Sequence, residues 1–147
     1  ELHGDIEPSF MMIAQMDPMS AQLDRVQVVK GWSAGDEVHE KIIDIACSDG
    51  RTPNEHGKCE DLDVGVDLEN CAPANDIGAE QLSVIWQDPD YDEQVTAFYY
   101  VRVLEIPTCR WSSYDALRIG KDRLPLVPAS GRERAWSSPI WIRNALY

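Results

Sequence analysis

Several features of common protein classes are missing from this sequence. No stretch approaches the roughly 20 apolar residues that a membrane-spanning helix needs. There is no G-x-x-x-x-G-K or G-x-G-x-x-G pattern for phosphate binding. Basic residues are scarce: 13 Lys and Arg stand against 26 Asp and Glu, a formal net charge of -13. Such a polyanion is repelled by nucleic acids and anionic lipids, so we expect neither as a partner.

Metal-binding patterns of the zinc type are also missing. The three histidines, His3, His39 and His56, are scattered, and no C-x-x-C pair occurs. We interpret His39 as a surface strand residue. Nothing in the sequence therefore predicts a transition-metal site.

The four cysteines are instead typical of disulfides. Cys47, Cys59, Cys71 and Cys109 form an even set, which favours two bridges in an exported protein. Three connectivities are possible. We expect Cys59 to pair with Cys71, because that bridge would fix a long insert, and Cys47 to pair with Cys109.

The clearest structural signal is the run A-F-Y-Y-V-R-V-L-E-I at residues 97–106. Tyr99, Val101 and Val103 fall on one side of an extended chain, and β-branched and aromatic residues suit a pleated surface. A tyrosine at the start of such a run is typical of strand F in immunoglobulin-like and fibronectin type III-like sandwiches. This pattern predicts a central strand of an all-β sandwich.

Weaker alternation predicts further strands, and proline or turn residues bound them. We expect residues 23–32 and 38–46 to form a hairpin. We expect residues 79–86, with Trp86 in the core, to pair with 97–106. Pro139 marks the last strand as an edge or bulged strand. The predicted strands are 9–15, 23–32, 38–46, 79–86, 97–106 and 134–142.

Two long excursions interrupt these strands, at residues 48–76 and 107–134. The second contains a short helix at 113–119, which Ser112 or Ser113 would cap and Gly120 would end. At 147 residues the chain has room for one core. We therefore predict one immunoglobulin-like or fibronectin III-like sandwich domain over residues 1–147, with six or seven strands. Because the chain does not start with methionine, we expect a piece of a longer protein, with the first strand either included or missing.

Two acidic segments are weak candidates for cation binding. Asp88, Asp90 and Asp92 are spaced like the first three ligands of a calcium-binding loop. However, Glu93 and Tyr99 occupy the positions that require glycine and a bidentate glutamate. An EF-hand is excluded, and a solvated turn is the better interpretation. The insert offers hard oxygen ligands suited to Ca²⁺ or Mg²⁺, against the simpler interpretation of an acidic loop. These weak calcium candidates are Asp61, Asp63, Asp67 and Glu69.

Arginines and tryptophans are concentrated in the carboxy-terminal third. An arginine cluster can grip a carboxylate or phosphate, but pairing with the surplus of acids is the favoured interpretation. Trp111 and Trp141 are candidates for a docking surface, since tryptophan and arginine are enriched at interfaces. The arginines in question are Arg110, Arg118, Arg123, Arg132 and Arg134.

Several runs resemble the carboxy-terminal part of a bacterial family called domain of unknown function 3604. They are L-D-R-V-Q-V-V-K-G-W, H-E-K-I-I-D-I-A, W-Q-D-P-D-Y-D, A-F-Y-Y-V-R-V-L-E-I-P-T-C-R-W-S and E-R-A-W-S-S-P-I-W. The resemblance implies a periplasmic or secreted protein. It also implies an upstream catalytic domain, a metal-dependent hydrolase of the polymerase-and-histidinol-phosphatase type that holds divalent metals. The ligand motifs of that domain match nothing here, so we assign this chain no metal ligand, no cofactor and no catalytic residue.

The resemblance leads to three functional hypotheses. The first is a non-catalytic accessory β-sandwich whose partner is its own upstream catalytic domain. The second is a free-standing binding module for a carbohydrate or a protein. The third is hydrolysis by this chain itself through the acidic insert. Under the first hypothesis the residues expected to line the active site of the missing domain are Arg110, Trp111, Arg132, Glu133 and Arg134.

Overall fold

A computed structural model describes residues 7–74 and 76–143, so His3 lies outside the described residues. Strands dominate, with one short helix. In chain order the elements are β1 (Ser9–Gln15), β2 (Leu23–Ala34), β3 (Glu37–Cys47), β4 (Gln81–Gln87), β5 (Ala97–Glu105), β6 (Thr108–Cys109), α1 (Trp111–Ile119), β7 (Ser130–Gly131), β8 (Arg134–Trp136) and β9 (Ile140–Ile142).

The strands form two packed antiparallel sheets and a small ribbon. One sheet contains β1 and β4. The other has the order β3-β2-β5, with β8 and β9 one after the other along the remaining edge of β5. The third pairing, β6 with β7, joins the two ends of the second excursion. The predicted all-β sandwich is confirmed, and the predicted strand positions agree with the structure closely.

The core lies between the two sheets, where alternate residues of each strand meet. β1 contributes Phe10, Met12 and Ala14, while Met11 and Ile13 point outward. Burying each valine or isoleucine here stabilises the fold by roughly 1.5–3 kcal/mol. The buried core residues are Met12, Val26, Val28, Ile43, Ile45, Ala97 and Tyr99.

The expected pairing of the fourth strand is wrong. β4 pairs with β1, with Ser9 opposite Gln87, whereas β5 pairs with β2. The chain between β4 and β5 therefore crosses from one sheet to the other. This crossing lets the inward residues of β4, with Trp86 among them, pack onto the core from the opposite side. A flat β4–β5 hairpin would have left one face of β5 uncovered.

The last predicted strand is interrupted, as its proline indicates. β8 and β9 both pair with β5, and the break between them spans Ser137 to Pro139. Proline cannot donate a ladder hydrogen bond, so pairing stops there. Ser137 bridges the gap, because its backbone N–H donates to the Val101 carbonyl at 3.0 Å and its Oγ accepts from the Val101 N–H at 2.9 Å.

The two disulfides connect different cysteines from those expected. Cys47 pairs with Cys59, and Cys71 pairs with Cys109. The insert turns back along β3 immediately after it, so that the Cys59 N–H donates to Asp44 at 2.8 Å. That turn places Cys59 beside Cys47. The second bridge then ties the first excursion to the second.

The helix begins earlier than predicted and has no serine cap. Its N-cap is Arg110, whose side chain makes no capping hydrogen bond. Both serines lie inside the first turn and are buried, and the Ser113 hydroxyl donates to the Ala129 carbonyl at 2.7 Å. Gly120 ends the helix with φ at 63°, a left-handed conformation that glycine adopts without strain, as predicted.

Candidate functional site

A buried carboxylate, Asp24, lies where the two excursions meet the sandwich. It is fully buried on β2, and three arginines contact it. Its neighbour Arg25 donates from Nε at 2.9 Å, and Arg51 of the insert donates from Nη2 at 2.8 Å. Arg132, at the end of the second excursion, donates from Nη1. One carboxylate thus holds both excursions against β2.

Asp44 of β3 forms the other half of this cluster. It accepts hydrogen bonds from Arg25 at 3.1 Å and from the Gln27 amide at 2.5 Å. Gln27 in turn accepts from Arg102 of β5 at 2.7 Å. The polar chain therefore runs across β3, β2 and β5. Every buried side-chain N and O atom in the described part of the chain has a hydrogen-bond partner.

Opposing influences set the charge state of Arg25. Burial alone would lower the pKa of its guanidinium, because the charged form loses hydration. The hydrogen bonds and negative charges of Asp24 and Asp44 outweigh that effect, so the pKa of Arg25 is raised. The group stays charged and engaged at any physiological pH. We interpret the cluster as a structural ion-pair network.

A second buried cluster joins the two sheets through Asp88. Lys30 donates to its carboxylate at 2.5 Å, and the Tyr99 hydroxyl donates to the same oxygen at 2.8 Å. The Lys30 ammonium also lies 5.2 Å from the centroid of the Trp32 ring. Burial of Tyr99, followed by its hydrogen bond to Asp88 and that negative charge, raises the pKa of the phenol far above its ordinary value.

The interpretation of this loop as a solvated turn is therefore wrong for Asp88. The carboxylate is buried and is satisfied by the protein itself. Asp90 pairs with Lys41, whose hydrogen bond and charge lower the pKa of Asp90. Asp92 accepts from the Gln94 N–H at 2.8 Å. These acids stabilise a turn and do not converge on a common centre.

The acidic insert is likewise occupied by local contacts. Asp61 pairs with Arg25 at 3.0 Å, and Asp67 accepts from the Glu69 N–H at 2.8 Å. Among residues 7–74 and 76–143, no group of three or more His, Cys, Asp or Glu is arranged to hold a metal ion. The weak calcium candidates are therefore not brought together.

The five residues expected to line an active site are divided by the structure. The β6–β7 ribbon does bring the start and the return of the second excursion side by side. Arg132, however, turns inward to Asp24. Trp111 is 69% exposed at the start of α1, next to Arg110. Glu133 and Arg134 line a separate groove between the sheets.

This groove, called the edge groove below, has a volume of about 760 Å³. One wall is β1, from Phe10 to Gln15. The floor is the inner face of β5, formed by Tyr99, Val101 and Val103. The far wall is made of residues 133–138 and Ile140. The groove therefore runs along the edge of β1 that does not pair with β4.

An aromatic face covers part of the opposite side of the larger sheet. Phe98 and Tyr100 of β5 lie 6.4 Å apart between ring centroids, and Trp141 of β9 is 5.1 Å from Phe98. With Trp136 and Pro139 these residues surround a shallow depression of about 400 Å³. Gly31 is required beneath it, because a Cβ at that position would come within 2.2 Å of the Phe98 ring.

Sequence reasoning missed Asp24, Arg25, Asp44 and Arg51 as a cluster. One signal was present: the run L-D-R-V-Q-V-V-K places charged residues inside an otherwise apolar strand. In a strand buried on both faces, such residues must pair with one another. The alternative interpretation of the arginines, pairing with the surplus of acids, is correct for Arg132.

Fold and site together define a small all-β sandwich domain with two disulfide-linked excursions and buried ion-pair networks. No helix in the described ranges is long and apolar enough to cross a membrane. The chain belongs to the family described as "Protein of unknown function (DUF3604)", which matches residues 1–144. No curated protein and no solved structure matches it.

Proposed function

We propose that this chain is a non-catalytic accessory domain of an exported, metal-dependent hydrolase and packs against the catalytic part of that enzyme. The observation that carries the proposal is the outer face of the β1–β4 sheet. Met11 and Ile13 of β1 and Ile85 of β4 are exposed side by side there, Ile85 to 67%. A contiguous apolar surface of this kind is typical of an interface.

In this proposal the charged residues of the interior have a structural role. The arginines and carboxylates that meet in the interior, Arg25, Asp24 and Asp44, hold the sandwich together. The parts of the proposal that concern an upstream catalytic domain and its divalent metals rest on the family resemblance. Two disulfides are compatible with a periplasmic or secreted location, which we include in the proposal.

The type of sandwich belongs to this proposal too. We assign β1 and β4 to strands B and E of an immunoglobulin-like fold, and β3, β2, β5 and β8–β9 to strands C′, C, F and G. Tyr99 near the start of β5 then corresponds to the tyrosine of strand F. In this assignment the position of strand A, beside β1, is the edge groove.

The test uses the natural protein with its upstream part, assayed for manganese-supplemented hydrolysis of p-nitrophenyl phosphate. Ile85→Lys on the outer face should lower hydrolysis, because a charge is placed in an apolar interface. Val38→Lys is the matched control, since Val38 of β3 is 85% exposed on the other sheet. Unchanged kinetics in Ile85→Lys, or turnover by the 147-residue chain alone, would overturn the proposal.

The predicted lining of the active site remains part of this proposal for the residues that point to solvent. Arg110, Trp111, Glu133 and Arg134 are available to a neighbouring domain, whereas Arg132 is used by Asp24. Arg110→Ala and Arg134→Ala in the full-length enzyme should reduce kcat/KM without changing the urea midpoint. Unchanged kcat/KM in both variants would remove these residues from the site.

A second candidate function, a binding module, is favoured by the aromatic face. Carbohydrates stack on exposed aromatic rings, and Trp136 and Trp141 are 60% and 59% exposed. Titration of the chain with oligosaccharides should then quench tryptophan fluorescence saturably. Trp141→Ala should abolish the quenching, whereas Trp111→Ala, remote on α1, should not. A signal that Trp141→Ala leaves intact would contradict this function.

A further inference from the structure

The free edge of β1 differs from an ordinary exposed edge. In the described part of the chain only β4 pairs with β1. The strand reads S-F-M-M-I-A-Q and contains neither a charge nor a proline. Proteins protect open edges with charges, prolines or bulges. The edge strand β3, by contrast, carries Glu37, Glu40 and Lys41. The strand β4, at the other edge of the two-stranded sheet, is as free of charge and proline as β1, but none of its residues lines the edge groove. An unprotected apolar edge of this length is expected to be covered.

The edge groove has the shape that a covering strand requires. It follows six successive residues of β1, Phe10 to Gln15, a strand whose second edge has no partner strand in the described residues. Its floor offers Val101 and Val103 to side chains that point inward. β1 is seven residues long, or roughly 23 Å at 3.3 Å per residue, which is a usual strand length.

Charge distinguishes the two ends of the groove. Asp17, Glu105 and Glu133 lie at one end with a single cation, Arg134. The other end, around Phe10 and Ile140, is apolar. An occupant that complements this groove therefore has apolar residues at alternate positions and a lysine or arginine at the acidic end.

We propose that the edge groove binds an extended peptide segment that adds to β1 as an antiparallel strand, with a basic residue beside Glu105 and Glu133. The segment is supplied by the catalytic part of the same enzyme, and for this source the inference rests on the proposed function. The backbone of the segment pairs with β1, and its inward side chains pack on Val101 and Val103.

In the first experiment the 147-residue chain is titrated with the synthetic peptide acetyl-KTVTVSV-amide, and binding is measured by isothermal titration calorimetry. Saturable binding is expected. Ala135→Arg, which fills the groove, should weaken binding about tenfold or more. Ser83→Arg, on the outer face of β4 outside the groove, is the matched control and should bind as the wild type does. Equal binding by Ala135→Arg, or no binding to the wild type, would overturn the inference.

One further variant and two altered peptides test the orientation and the chemistry. Glu133→Lys should weaken the lysine-containing peptide and not a peptide with glutamate in its place. A peptide with prolines at alternate positions, which cannot donate to the ladder, should not bind. If the free chain sediments as a dimer that forms through β1, the groove binds a second copy of the chain. That result would overturn the inference.

The source of the segment is tested by hydrogen exchange in the full-length enzyme. The amides of residues 10–15 that face the groove should exchange slowly there and rapidly in the 147-residue chain. Rapid exchange in both would overturn the inference while leaving the result for Ile85→Lys intact. Slow exchange with unchanged hydrolysis in Ile85→Lys would instead overturn the proposed function alone.

Discussion

At the scale of single residues, Asp24 is the buried carboxylate that pairs with three arginine side chains. It is fully buried and accepts from Arg25, Arg51 and Arg132. Asp24→Asn keeps the shape of the side chain but removes the charge that compensates three guanidinium groups. We expect it to lower the free energy of unfolding by about 3–5 kcal/mol in urea titrations.

The matched control for that change is Asp63→Asn, the same substitution at an exposed position of the insert. It should shift the unfolding free energy by less than about 0.5 kcal/mol. Equal midpoints for the two variants would mean that the buried network contributes no more than an exposed acid.

Tyr99 makes stability depend on pH in the alkaline range. In the unfolded chain a tyrosine ionises near pH 10, whereas burial and Asp88 raise the pKa of folded Tyr99 well above that. The folded state therefore binds more protons above pH 10, and stability falls as pH rises from there. Tyr99→Phe should remove this decline in urea midpoints measured from pH 8 to 11.

The same variant loses a hydrogen bond to a charged acceptor, so at pH 8 it should be less stable by about 1.5–3 kcal/mol. Tyr100→Phe, on the opposite face of β5, serves as the control and should keep the alkaline decline. A decline that persists unchanged in Tyr99→Phe would assign the effect to another group.

At the scale of elements, the two disulfides should differ in their contribution to stability. Cys71–Cys109 spans 38 residues and Cys47–Cys59 spans 12. In the chain-entropy description, closing these loops stabilises by about 4 and about 3 kcal/mol. We expect the Cys71→Ser/Cys109→Ser variant to be the less stable of the two double variants.

Thermal unfolding of both double-serine variants under identical conditions checks this order. The longer bridge also joins the two excursions, so its removal should increase proteolysis within residues 107–133 as well as in the insert. The opposite order of stabilities would show that local contacts of Cys59, beside Asp44, outweigh the length of the loop.

At the scale of the whole molecule, net charge keeps an unprotected edge apart from other copies. The formal charge of -13 vanishes near the sequence pI of about 4.4. Light scattering of the isolated chain should therefore rise as the pH approaches that value. Met11→Lys in β1 should reduce scattering, whereas Gln81→Lys on β4 should have a smaller effect. Equal scattering in both would exclude β1 as the contact.

The sequence predicts strand positions well because side-chain alternation is a local property. Residues 9–15 and 97–106 are almost the same in prediction and structure. The pairing of β4 and the disulfide connectivity were wrong, because each depends on how distant segments cross between sheets. Local patterns contain no such information.

The candidate site was predictable only in part for a related reason. Nothing in the sequence around Arg132 distinguishes it from an arginine on the surface. It reaches Asp24 only because the second excursion returns past β2. The edge groove is formed by β1, β5 and β8, which are far apart in the chain. The alternation of apolar residues in β1 was visible in the sequence. The groove itself could not be predicted, because it depends on which strands pair with β1.

The two disulfides have a mechanical consequence. They close separate loops of 12 and 38 residues, and neither loop overlaps the other. When the chain is pulled from its ends, those segments cannot lengthen even after both sheets have come apart. At roughly 3.4 Å per residue, oxidation removes about 170 Å of extensible contour. A reductant would restore that length, so in a force-extension experiment the redox state sets how far the unfolded domain stretches.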